Sequence, residues 1–258
     1  MPGAKRMPID SQEVYNKSMA DFEPLKPTIV LGVVAHPDDI DICAAGSLAK
    51  YASDGAKVYI YVATNGDKGS DDEAITPDQL RETRMLEQQA AARKIGAETV
   101  FFGEFPDGML ECTSSLKRDI VRYIRKTKPD VVVTFDPTFL FSTELGIVNH
   151  TDHRTVGLAA MDAVYPLARD IKTFPELLDE GFDPHKVSTI LFCNFDKANY
   201  YEDITASFAA KSEAIRAHSS QFKDPEAVIA MTEQMASKAG LAAGSPYAEG
   251  FVRLDLHR

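Results

Sequence analysis

From residue 29 onward, short apolar runs alternate with longer stretches whose apolar residues recur at helical spacing. The first run, Ile29 to Ala35, is continuous, as expected for a strand buried on both faces, and stops at His36-Pro37. Residues 41–54 then place Ile42, Ala45, Leu48, Ala49 and Ala52 on one helical face and close at Gly55. A strand over 58–63, a polar loop over 64–70, a helix from about 77 to 95 and a strand over 99–102 follow. Pro77 suits the first turn of that helix and Gly96 its end. The pattern continues with helix 117–126, strand 131–135, helix 153–168 and strand 187–193. Helices near 205–219 and 224–239 and a short strand at 251–254 complete it. Strands alternating with long helices predict an α/β fold, a mostly parallel sheet with helices on both faces. In such sheets ligands gather at the carboxyl ends of strands, here just past residues 35, 63, 102 and 135.

Composition narrows the class. With 258 residues, 44% of them hydrophobic and 26% charged, disordered, collagen-like and coiled-coil chains are excluded. The length suits one large domain over 29–258, preceded by an arm at 1–28 that carries Pro2, Pro8, Pro24 and Pro27. The arm reads as lying on the domain or as a tail. The 28 Lys and Arg against 39 Asp and Glu give a net charge of −11, the wrong sign for nucleic acid or an anionic membrane. Cys43, Cys112 and Cys193 stand too far apart for a disulfide framework or a zinc ribbon, so a reducing compartment is expected. No apolar stretch approaches the roughly 18 residues of a spanning helix, and a cytoplasmic location is expected.

Two clusters can carry chemistry. His36-Pro37-Asp38-Asp39 ends the first strand, where Pro37 holds His36 extended and two adjacent carboxylates point different ways. One can join His36 on a metal while the other faces a substrate. Alternatively, an Asp merely caps the next helix. His150-Thr151-Asp152-His153 follows the strand at 131–135, with His150 and His153 three residues apart and Asp152 placed to orient an imidazole. Its plain reading is a polar helix start. Both clusters fall at carboxyl ends of expected strands, so one shared site is geometrically allowed. Two His and one carboxylate leave a coordination position open, the pattern of a catalytic zinc, which lowers the pKa of bound water from 15.7 to about 7.

The chain resembles the PIG-L/LmbE-like zinc deacetylases, which remove acetyl from N-acetylglucosaminides. Ala35-His36-Pro37-Asp38-Asp39 and His150-Thr151-Asp152-His153 match the family's two signatures, and weaker echoes follow in order. These are Thr64-Asn65-Gly66, Arg84 with Glu87, Pro106-Asp107-Gly108, Pro129-Asp130-Val131-Val132, His218 with Ser220-Gln221, and Tyr247-Ala248-Glu249-Gly250-Phe251. The resemblance spans about residues 29–252 and implies a Rossmann-like sheet. It implies that His36, Asp39 and His153 ligate zinc, that Asp38 is the general base, and that His150, oriented by Asp152, stabilises the oxyanion. Arg84 and Asp107 match positions that hold the sugar. Ile40 stands where the family usually has Glu, Thr151 where Pro is common, and the apolar insert 137–148 is a further departure. That insert reads as a packed loop, a subunit contact or a substrate lid.

The expected function is therefore a hydrolase that removes an N-acetyl group from a small soluble amino-sugar conjugate by attack of a zinc-bound water. Fe²⁺ or Mn²⁺ can replace Zn²⁺ at such a mixed donor set. A homo-oligomer is compatible with the insert. The alternatives are an amidase for a non-sugar or larger acylated glycoside amide, and a non-catalytic Rossmann-like module binding a nucleotide or sugar. Against the last, no Gly-x-Gly-x-x-Gly follows the first strand. Of the remaining residues, His185 and His257 read as solvated, Tyr200 and Tyr201 as surface or interface, and Cys43 as a small core residue. His218 reads as satisfying a carbonyl or serving the site.

Overall fold

A computed structural model describes residues 22–256. Most of the expected arm, residues 1–21, and His257 lie outside the described residues.

The apolar run becomes β1 (Ile29–Val34), which pairs in parallel with β2 (Lys57–Thr64) on one side and β4 (Val131–Phe135) on the other. β3 (Thr99–Phe105) continues the sheet beyond β2, and β7 (Thr189–Cys193) continues it beyond β4. β9 (Ala248–Asp255) and β8 (Tyr200–Asp203) add an antiparallel edge, giving the order β3-β2-β1-β4-β7-β9-β8 among the described residues. The chain moves outward from β1 to β3, then returns beside β1 as β4. The strand order thus reverses between β1 and β4, and a crevice opens there at their carboxyl ends. Both chemical clusters follow those two strands.

The helix expected at 41–54 is two helices, α1 (Asp39–Cys43) and α2 (Ala45–Ser53), broken at Ala44. α3 (Pro77–Lys94) begins with a capping box between Thr76 and Gln79, with Pro77 following the cap. α4 (Ser114–Thr127) and α5 (Thr151–Asp162) pack on each other and on β1. α5 stops earlier than its periodicity suggests, because Tyr165 turns extended and Pro166 follows. A short α6 (Glu176–Asp179), then α7 (Phe208–Arg216) and α8 (Pro225–Ala243), complete the helices among the described residues. α7 packs on α2 and α3. The buried residues of β1, β2, β4 and β7 join those of α2, α4 and α5 in one contiguous core.

β8 was not foreseen, and it corrects the reading of Tyr200. That side chain is 4% exposed and donates to Glu202 Oε2 at 2.7 Å, the same oxygen that accepts Tyr51 Oη at 2.7 Å. The arm's described end is tied to this edge. Leu25 N donates to Tyr200 Oη at 3.2 Å, Phe22 meets the Tyr200 ring edge-on, and Arg253 lies over both rings while donating to Glu23 O at 2.7 Å. His185 is not simply solvated, since its Nε2 lies 2.8 Å from Pro129 O. The insert forms a small hairpin, β5 (Phe141–Ser142) with β6 (Ile147–Val148). Phe139 and Ser142 are buried, while Leu140, Phe141, Leu145, Ile147 and Val148 are exposed.

Candidate metal centre and active site

At the mouth of β1 the backbone reverses through Asp38, whose φ of 93° and ψ of −29° lie in the left-handed region. A non-glycine residue there costs of order 1–3 kcal/mol and persists only where its surroundings over-determine it. The surroundings do. Arg84 donates through Nη2 to Pro37 O at 2.8 Å and through Nη1 to Gly66 O at 2.9 Å, and its Nη2 lies 3.4 Å from Asp38 Oδ2. Gly66 is required for this clamp, because its φ is 64° and a Cβ would stand 3.0 Å from Pro37 Cδ and 3.2 Å from Arg84 Nη1. The Asp38 N–H donates to Gln88 Oε1 at 2.8 Å.

Asp39 turns back over β1. Its Oδ2 accepts the N–H groups of Ala35 at 3.1 Å and His36 at 2.7 Å, while its Oδ1 lies 3.0 Å from His153 Nε2. His153, in the first turn of α5, stacks on Phe135 with ring centroids 4.0 Å apart and planes 4° from parallel. Its Nδ1 lies 3.1 Å from Asn149 Oδ1, which leaves Nε2 to face the crevice. His36 points Nδ1 towards Asp39 Oδ2 at 3.4 Å and Nε2 towards Asp107 Oδ1 and Asp152 Oδ2, each at 3.2 Å.

Asp152 differs from expectation in its partner. Its carboxylate holds His36 and accepts the N–H groups of Gly108 at 2.7 Å and Leu110 at 3.1 Å, pinning the loop after β3 to α5. What it offers His150 is its backbone N–H, which donates to Nδ1 at 3.2 Å. The His150 ring is exposed and stands edge-on to His36, with centroids 4.7 Å apart. Arg84 and Asp107, matched to sugar-holding positions, are 3% and 6% exposed and already engaged by protein groups. Asp107 Oδ2 accepts Lys68 N at 3.2 Å and lies 3.8 Å from Arg84 Nη1.

The electrostatics follow from this crowding. Burial disfavours a charged His36, yet Asp39, Asp107 and Asp152 outweigh it and push its pKa up to about 12. Burial first, then the neighbouring Asp39 charge, push Asp38 up to about 6 against the pull of Arg84. His150 is lowered, by partial loss of solvent at the crevice mouth and by the two neighbouring imidazoles. A pocket that so favours positive charge, lined by facing imidazoles and carboxylates, is a donor set that fits a divalent cation. Ligand atoms of His36, His150 and His153 lie within 4.8 Å of one another, as do those of His36, Asp107 and Asp152.

Asn149 and Phe135, which set the His153 ring, escaped the sequence reading, although Asn149 stands four residues before His153 on the way into α5. Gln88 and Asp41 were also missed. His218 was noticed, but its partner is the Asp41 carboxylate at 2.8 Å and not a carbonyl.

Fold and site define a Rossmann-like α/β protein with a His/carboxylate cluster suited to a divalent cation at the switch point of its sheet. The chain belongs to the PIG-L family, whose model, described as GlcNAc-PI de-N-acetylase, matches residues 31–164. It is 31% identical over 225 residues to the diacetylchitobiose deacetylase of Thermococcus kodakarensis, covering 86% of this chain and 81% of that one. It is 33% identical over 179 residues to 1D-myo-inositol 2-acetamido-2-deoxy-alpha-D-glucopyranoside deacetylase 2 of Saccharopolyspora erythraea, over 60% of this chain and 62% of that protein. The structure of N,N'-diacetylchitobiose deacetylase from Pyrococcus horikoshii superposes with a TM-score of 0.83 at 27% identity, covering 98% of this chain and 95% of that one. Among the described residues no helix is long and apolar enough to cross a membrane.

Proposed function

We propose that the chain is a metal-dependent N-deacetylase acting on a small N-acetylglucosamine-type conjugate. The observation that carries this is the meeting of His36, Asp39 and His153 beside Asp38, a second carboxylate free of those contacts. Relatives named for deacetylating diacetylchitobiose and a glucosaminyl inositol support the substrate class.

His36 through Nδ1, Asp39 through Oδ1 and His153 through Nε2 would hold the cation, because their other polar atoms are already committed. Two imidazoles and a carboxylate suit Zn²⁺, with Fe²⁺ and Mn²⁺ compatible. A cation bound there polarises the amide carbonyl and lowers the pKa of water beside it.

Asp38 takes a proton from the attacking water. Burial and the neighbouring Asp39 charge raise the pKa of Asp38, which makes it a stronger base than an ordinary carboxylate. His150 accepts the Asp152 N–H on Nδ1, so its neutral tautomer carries hydrogen on Nε2. That N–H donates to the oxygen on which negative charge develops, and the lowered pKa keeps the ring neutral for the task. When the C–N bond breaks, Asp38 returns its proton to the leaving amine. Arg84 fixes Asp38, and Asp152 with Asp107 fixes His36.

The test is a panel of N,N'-diacetylchitobiose, an N-acetylglucosaminyl inositol and an acyl amino acid incubated with zinc-loaded protein. Free amine and acetate from either sugar support the reading. Turnover of the acyl amino acid alone moves the substrate class to a non-sugar amide. Loaded protein inert on the whole panel contradicts the proposal.

A further inference from the structure

The left-handed turn at Asp38 leads away from the crevice into a chain of side chains that the proposed reaction does not use. Gln88 is fully buried on α3 and forms two bonds at once. Its Oε1 accepts the Asp38 N–H at 2.8 Å, and its Nε2 donates to Asp41 Oδ2 at 2.9 Å. The amide orientation is dictated, because the Asp38 N–H can only donate and so must meet the amide oxygen. Asp41 is fully buried on α1, and the same Oδ2 faces Nε2 of His218, also fully buried, at 2.8 Å. The turn carrying His218 is docked on α3 by the neighbour of Gln88. Glu87 accepts from Ser219 Oγ at 2.9 Å, Ser220 N at 2.8 Å and Ser220 Oγ at 2.6 Å. Hydrogen bonds thus link His218 to the Asp38 turn through Asp41 and Gln88.

We infer that Gln88, braced by Asp41 and His218, is the positioning residue that holds Asp38 in its left-handed turn and so aims its carboxylate at the substrate. The catalytic part of this inference rests on the base role proposed for Asp38; the structural part stands without it. Arg84 grips the carbonyl preceding Asp38 and lies near its carboxylate, whereas Gln88 alone takes its N–H, so the two fix the turn from opposite sides of the residue.

Gln88→Met keeps the volume and removes both bonds. The expected result is a crystal structure in which Asp38 has left its left-handed conformation. With it, kcat falls about 100-fold, as misplacement by a fraction of an ångström to an ångström entails. KM and bound metal stay near the wild-type values, since Asp39 and its partners are untouched, while the thermal midpoint falls because the Asp38 N–H and Asp41 Oδ2 each lose a buried partner. If Gln88→Met does not accumulate folded, Asp41→Asn and Asp41→Ala give the same comparison. Asn offers an oxygen at the Oδ2 position and retains kcat; Ala deletes the brace and loses it. An Asp38 unmoved in Gln88→Met, or equal kcat in the two Asp41 variants, overturns the inference. If wild-type enzyme releases no acetate, the proposed reaction fails instead, and the conformation of Asp38 in Gln88→Met still decides this one.

Discussion

At the scale of the residue, Asp38 and Asp39 show how two adjacent carboxylates acquire opposite electrostatics. Asp39 is drawn well below the usual carboxylate range although burial resists ionisation, because His153 and His36 face it. Asp38 is raised, because Arg84 does not fully offset its burial and the charge beside it. Asp38→Asn should therefore bind metal as the wild type does while kcat drops by about 10² to 10⁴, the usual contribution of a general base. Steady-state kinetics with metal analysis on the same samples check this. Asn149→Ala should act on the metal instead. Without its Nδ1 partner the His153 ring loses its orientation, and zinc affinity measured by chelator competition should weaken by about 10- to 100-fold. The two motifs were legible because their residues are contiguous in the chain. Their supports were not, since Gln88 lies 50 positions from Asp38 and Asp152 acts on His36 across 116. Hydrophobic periodicity places elements but does not pair distant side chains.

At the scale of the element, the approach of α5 to β4 sets the depth of His153. Gly157 sits inside α5 where a Cβ would stand 2.3 Å from Phe135 O. Glycine in a helix interior costs about 1 kcal/mol against alanine, so its place there reflects this contact. Gly157→Ala should destabilise the protein by about 1–3 kcal/mol in urea unfolding despite the better helix former. The parallel strands were legible from continuous apolar runs ended by polar loops. β8 was not, because Tyr200-Tyr201-Glu202-Asp203 has neither an apolar run nor a clean alternation, and the buried Glu202 depends on distant partners, Tyr51 on Oε2 and Lys50 on Oε1, besides Tyr200. The entry into β1 depends on Asp130. Burial opposes its ionisation, but the Thr28 hydroxyl and the N–H groups of Thr28 and Ile29 outweigh this and lower its pKa below the ordinary 3.8. A depressed carboxylate stabilises the fold above its unfolded pKa and loses that contribution as pH falls through its folded pKa. The stability gap between wild type and Asp130→Asn should be full at neutral pH and close below about pH 4, in urea melts across a pH series.

At the scale of the whole molecule, the reversal of strand order between β1 and β4 is what makes two distant motifs one site. It places the loops after Val34 and Phe135 at the same end of neighbouring strands, and the loop after β3 closes over them through Asp107 and the two N–H groups that hold Asp152. Alternation of strands and helices was enough to expect a shared crevice, though not to foresee that Arg84 and Asp107 would be engaged within the protein. The most direct measurement is acetate release from N,N'-diacetylchitobiose by one preparation in three states: as purified, stripped with chelator, and reloaded with stoichiometric Zn²⁺. Release lost on stripping, restored on reloading, and absent in reloaded His153→Ala is the predicted result. Release that persists after complete removal of the metal, or that His153→Ala retains in full, would contradict the account.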